Sequence, residues 1–167
     1  MKLFSLILTM VLALVLASCS NLGSVRTVNG NRVEVIEDPK DFGSIAYVEY
    51  FDYETLKARE RKRADLAFEE PDYSNLLPNG YILVSVKTPT IGSANTKYWR
   101  VVVKDKSGEV VKRYQGKNSI ADHQTTNGVT VWFNTMVVAL PEITPPFDVY
   151  VVSDLVEKRW GARVLGK

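Results

Sequence analysis

The chain has 167 residues, with 21 Lys and Arg against 19 Asp and Glu and a formal net charge of +2, a near-neutral balance that gives no support to a nucleic-acid partner. One cysteine and one histidine leave nothing for an internal disulfide, and they remove the usual zinc sites, which take His and Cys in groups of three or four. With 46% apolar residues, a chain of this length can bury a core without cross-links.

Met1-Lys2 is a minimal positive start, and Leu3 to Leu16 is an uncharged, Leu-rich run. As a helix that run reaches about 21 Å, short of a hydrocarbon core of about 30 Å. Length and flanks therefore favour a cleaved leader over a permanent span. An ordinary signal peptide with an incidental cysteine and an uncleaved anchor are the competing readings. The run ends in Leu16-Ala17-Ser18-Cys19: an aliphatic residue, two small ones, then the sole thiol. This stretch resembles the lipobox of bacterial lipoproteins, over residues 1–20 alone. The resemblance implies removal of residues 1–18, lipidation of Cys19 as the new N-terminus, and attachment to a membrane of the bacterial cell envelope. Ser20, rather than Asp, after the cysteine implies the outer membrane over the inner by the sorting rule of enteric bacteria. Stable partition needs two or more acyl chains.

Residues 19–24 then form a tether of at most about 17 Å between Cys19 and the first strand, and residues 25–167 read as one domain. Val25 to Val28 and Arg32 to Ile36 flank Asn29-Gly30-Asn31. Asn-Gly supplies the positive φ of a primed turn, so a hairpin is predicted, at a sheet edge because its alternation is imperfect. Ser44 to Phe51 is apolar on both faces and is expected to be covered on both.

Tyr53 to Glu70 reads as an amphipathic helix, capped by Asp52 and closed by Pro71. Leu56, Ala67, Tyr53, Ala64 and Phe68 fall within an arc of about 120°, with Glu60 inside it. Of the basic run, Arg59, Lys62 and Arg63 cluster on the wheel. They read either as a solvated face supported by Glu60–Arg63 and Arg61–Asp65 spacings or as a patch for an anionic membrane surface.

From Tyr81 onward six alternating segments follow: Tyr81 to Lys87, Tyr98 to Lys104, Glu109 to Tyr114, Thr130 to Leu140, Phe147 to Val152 and Arg159 to Val164. With three strands before the helix they predict a mostly β, antiparallel β-sandwich, Ig-like or related, with a closed β-barrel as the alternative. Trp99, Trp132 and Trp160 are expected on the core face, the alternative being an aromatic binding surface. Thr88 to Lys97, Gln115 to Gly128 and Pro141 to Pro146 read as long connections, the default place for binding on a rigid sandwich.

In the longest of these, Asp122 and His123 are adjacent. A hydrolase would use His123 as general base, Asp122 to orient it, and Ser119 or Thr125 as nucleophile; the competing reading is a solvated histidine. Acidic residues at Asp38/Asp41 and Glu69/Glu70/Asp72 lack the spacing of a calcium loop, and Asp105 to Glu109 reads as a hairpin turn. No phosphate-cradling, nucleophile-elbow or His-Glu-x-x-His motif occurs, and no cofactor is expected. The expectation is a membrane-anchored, non-enzymatic binding or structural module that meets a protein or surface ligand through loops at the end far from its anchor. A hydrolase with a dispersed loop site is the alternative, as is membrane binding through Arg59, Lys62 and Arg63.

Overall fold

The computed structural model describes residues 23–39 and 43–167. The leader, Cys19, Ser20 and Asp41 lie outside the described residues.

Asn29 and Gly30 take φ of 53° and 78°, the left-handed pair that a tight primed turn needs. They turn β1 (Val25–Val28) back onto β2 (Asn31–Glu37) with Val28 opposite Asn31. The chain then forms β3 (Ile45–Phe51), α1 (Tyr53–Ala67), β4 (Tyr81–Thr88), β5 (Trp99–Lys104), β6 (Val110–Gln115), β7 (Asp122–Thr126), β8 (Val129–Ala139), β9 (Phe147–Ser153) and β10 (Lys158–Gly166).

All pairings are antiparallel. One sheet has six strands in the order β1-β2-β10-β9-β5-β6, the other four in the order β3-β4-β8-β7. The two stack as a β-sandwich and do not close into a barrel. Alternate residues of the central strands fill the space between them: Val149 and Val151 of β9, Val101 and Val103 of β5, Ile82, Val84 and Val86 of β4, and Val138 of β8 are all fully buried. Trp99 and Trp160 lie 5.4 Å apart in this core, and the Trp99 Nε1–H donates to the Ser93 carbonyl at 2.8 Å, which meets the need of a buried indole for an acceptor.

The registers sort the connections between two ends of the sandwich. At the first end the chain enters β1, with the Ser24 carbonyl accepting from Val35 N. The segments 89–98, 116–121 and 154–157 and the β7–β8 turn lie there too. At the second end are the β1–β2 turn, α1, the segments 105–109 and 140–146, and the C-terminus, held together by Asn31 and Lys167 against Asp52. Two of the three long connections thus share the end at which the chain enters, contrary to the expected far position; only 141–146 lies opposite. Hairpin-linked strands alternate direction, and the direction of β1 decides which end is which.

Several elements depart from expectation. The Asp52 side chain caps α1 as predicted, but the helix ends at Phe68, in the left-handed conformation, whose N–H donates to the Ala64 and Asp65 carbonyls. Of the predicted stripe only Leu56 and Ala64 are buried; Ala67 is exposed and Phe68 is 97% exposed, because the last turn of the helix runs past the sheets. Glu60, within the stripe, accepts from Asp72 N and from Arg63 and so clasps the segment after the helix. Strand β3 is buried only at Tyr50 and Phe51, being an edge strand rather than one covered on both faces. Gln115 to Gly128 is not a single loop: its second half is β7, an exposed edge strand.

Candidate functional site

The hydrolase groups do not assemble. Ser119 Oγ lies 3.1 Å from Thr96 N, 2.8 Å from Thr96 Oγ1 and 2.8 Å from Asn134 Nδ2. Thr96 Oγ1 donates its own proton to the Lys117 carbonyl at 2.6 Å. The Ser119 hydroxyl must therefore donate to Thr96 Oγ1 and accept from Thr96 N–H and the Asn134 amide, which uses its one proton and both lone pairs. Its proton is committed to structure, not directed at a base. Asp122 accepts from the N–H of His123 at 2.8 Å, a local backbone cap. Thr125 pairs with Thr130 across the strands at 2.8 Å.

His123 sits opposite Trp132 in the β7–β8 ladder, and the two rings lie 4.8 Å apart. Trp132 is half-buried, not a core residue: its strand extends beyond the closely packed part of the sandwich. Asn95 completes the polar knot at this end. Its Oδ1 accepts from Ser119 N and Lys97 N, and its Nδ2 donates to Asn118 Oδ1. The knot joins the β4–β5 connection to the β6–β7 connection. Gly116 lies inside it, with no room for a Cβ against the Thr96 carbonyl.

The basic cluster of α1 is largely engaged. Arg63 forms a forked pair with Glu60 at 2.8 and 2.9 Å and reaches Glu69 at 3.0 Å. The guanidinium of Arg63, and the Asp72 N–H, hold the Glu60 carboxyl down at about 2. Arg59 covers the Phe51 ring at 4.5 Å, and Arg61 donates to the Tyr73 hydroxyl. Lys62 alone of the three candidate residues has no partner among the described residues. Two of the candidate calcium acids are similarly occupied: Glu69 by Arg63, and Asp72 by Ser74 N. Asp105 accepts from Ser107 N, Ser107 Oγ and Glu109 N, as a hairpin turn requires. Among the described residues no three Asp, Glu, His or Cys side chains gather as a metal site would need. No helix among them is long and apolar enough to cross a membrane.

Two features escape sequence reading. The first is a set of exposed aliphatic residues at the end where the chain enters. Ile91, Ile120 and the pair Leu155-Val156 stand on three separate connections there and Val129 opens β8 beside the β7–β8 turn, Ile120 at 93% and Val129 at 63% exposure. They are short apolar breaks in otherwise polar segments, Leu155 and Val156 side by side, and only the registers bring them to one end.

The second is a cleft of about 340 Å³ between the sheets, within the range of about 300–1,000 Å³ typical of ligand pockets. The six-stranded sheet overhangs the four-stranded one, so the inward faces of β1 and β2 continue past β3. Val28, Val33 and Val35 form one wall and Trp160 and Ala162 the floor. Gly161 sits at a bulge in β10, where a Cβ would press on Ile36 and Glu37. The opposite wall is the run Ile45 to Glu49. Alternating side chains of a strand face opposite ways, so five consecutive residues line one space only if the strand presents its backbone edge. At the mouth Arg26 reaches across from β1, its guanidinium 5.1 Å from the Tyr47 ring centroid.

Comparison with family models, with curated proteins and with solved structures finds no match to this chain.

Proposed function

We propose that the protein is a bacterial envelope lipoprotein, anchored through acylated Cys19 in the outer membrane, that acts as a non-enzymatic binding module. The observation that carries this reading is the coincidence of two features at one end of the sandwich. The chain enters at Ser24, five residues after the lipobox cysteine, at the same end as the exposed tips Ile91, Ile120, Val129, Leu155 and Val156. Exposed aliphatic side chains are costly in water, and a full transfer to an apolar environment stabilises each by about 1.5–3 kcal/mol. A bilayer surface, brought within about 17 Å by the tether, offers that environment.

Two alternatives lose support. Ser119, Asp122 and Thr125, which a hydrolase would recruit around His123, are tied into separate structural hydrogen bonds. The basic helix stands at the opposite end, across strands of about seven residues or roughly 23 Å, and its Arg63 is neutralised by Glu60 and Glu69. With the entry end on the bilayer, the cleft beside β3 opens sideways and stays accessible. Mass spectrometry of the mature N-terminus tests the anchor: acylated Cys19 is expected, and a retained Met1 ends the reading.

A further inference from the structure

We infer that the cleft beside β3 is a strand-addition site, which takes an extended polypeptide segment as a fifth strand of the smaller sheet. The inference rests on the reading of the protein as a binding module and names what it binds. Among the described residues strand β3 pairs only with β4, so along Ile45 to Glu49, the run that walls the cleft, its other edge presents N–H and C=O groups that no described strand takes up. Such an edge is a ready template for another strand. The overhanging β1 and β2 already supply the facing layer that a fifth strand would pack on.

The chemistry of the incoming segment follows from the two faces of β3. Ala46 and Val48 point inward, toward Val28, Val33 and Val35, so the residues added beside them must be apolar. Glu49 points outward, and its carboxylate meets no cation or donor among the described residues. A Lys or Arg opposite it satisfies the cross-strand preference for opposite charge. The segment is therefore extended, apolar at the positions beside Ala46 and Val48, and basic at the position beside Glu49. Arg26, lying over Tyr47, bridges the mouth and must swing aside on binding; an exposed cation–π contact of this kind is worth roughly a two- to fivefold factor in affinity.

The test pans the full-length protein in detergent micelles against displayed random nine-residue peptides, with empty micelles as control. Enriched peptides are expected to carry apolar residues at alternate positions with a Lys or Arg at one position between them, and to slow amide exchange within Ile45–Glu49. Methylating alternate backbone nitrogens should weaken binding at least tenfold in one phase and leave it unchanged in the other. Arg26→Ala should tighten binding roughly two- to fivefold, and Glu49→Lys should reverse the basic preference. Enrichment of nothing over empty micelles overturns the inference, as does protection outside the cleft. A β3-protected dimer without peptide also overturns it, by putting a second copy in the cleft. Peptides that protect the cleft yet tolerate methylation in both phases remove strand addition while leaving the binding-module reading intact.

Discussion

Asp52 and Lys167 are joined at 2.9 Å, so the group that caps the only α-helix among the described residues also holds the last residue of β10's tail. The other oxygen of Asp52 accepts from Thr55 N at 2.7 Å, and Asn31 Nδ2 adds a third donor. Helix, first hairpin and last strand are thereby fastened at one carboxylate. Partial burial alone would raise its pKa; Lys167, Thr55 and Asn31 outweigh that and lower it to about 2.

Replacing this group should therefore act on stability at a specific pH. A carboxyl whose folded pKa is depressed contributes stability above its unfolded value, near 3.8, and loses it as pH falls toward 2. Asp52→Ala should destabilise the domain by about 1–2 kcal/mol at pH 7 through loss of the cap. Asp52→Asn keeps a capping oxygen and should cost less. The difference between wild type and Asp52→Asn should shrink between pH 4 and pH 2, read by urea denaturation at each pH.

The knot around Ser119 yields a second expectation. Ser119→Ala leaves the Thr96 N–H and the Asn134 amide short of an acceptor and should cost about 1–3 kcal/mol. Gly116→Ala drives a Cβ into the Thr96 carbonyl and should cost more, measured as a fall in thermal midpoint. A Ser119→Ala form that keeps full stability would show that the hydroxyl is free for chemistry.

A third concerns the bilayer. A soluble Cys19→Ala form should sediment with anionic vesicles less well after Ile120→Asp and Val129→Asp together, by at least fivefold. Charge reversal at Arg59, Lys62 and Arg63 should leave sedimentation unchanged. The opposite ranking would move the contact to the helix end.

How much of this was legible in the chain depends on what each residue buries. The β1–β2 hairpin was visible because Asn29-Gly30 specifies its own turn and the flanking valines alternate. Strand β7 was not, although Asn127 and Gly128 adopt the same paired positive φ, 51° and 77°. Its sequence, Asp122-His123-Gln124-Thr125-Thr126, has no apolar residue, because an exposed edge strand faces no core. The helix end was misread because Phe68 and Ala67 fit the stripe, while the left-handed turn at Phe68 depends on backbone geometry that no spacing announces. The cleft was illegible for a different reason. It arises from an unequal strand count in two sheets, a property of topology rather than of any segment, and its residues look individually like ordinary core valines.

The most direct measurement places an environment-sensitive dye at each end of the anchored protein. Cys19 is the sole cysteine, so once acylated it leaves an introduced cysteine as the only thiol to label. Nitrobenzoxadiazole is attached at Ile120→Cys or at Glu142→Cys in the full-length protein, reconstituted in vesicles bearing spin-labelled lipid. The expected result is no labelling of the unsubstituted protein, strong lipid quenching at position 120, and none at position 142. Labelling at Cys19, or quenching at 142 with none at 120, would contradict an anchored module standing on its entry end.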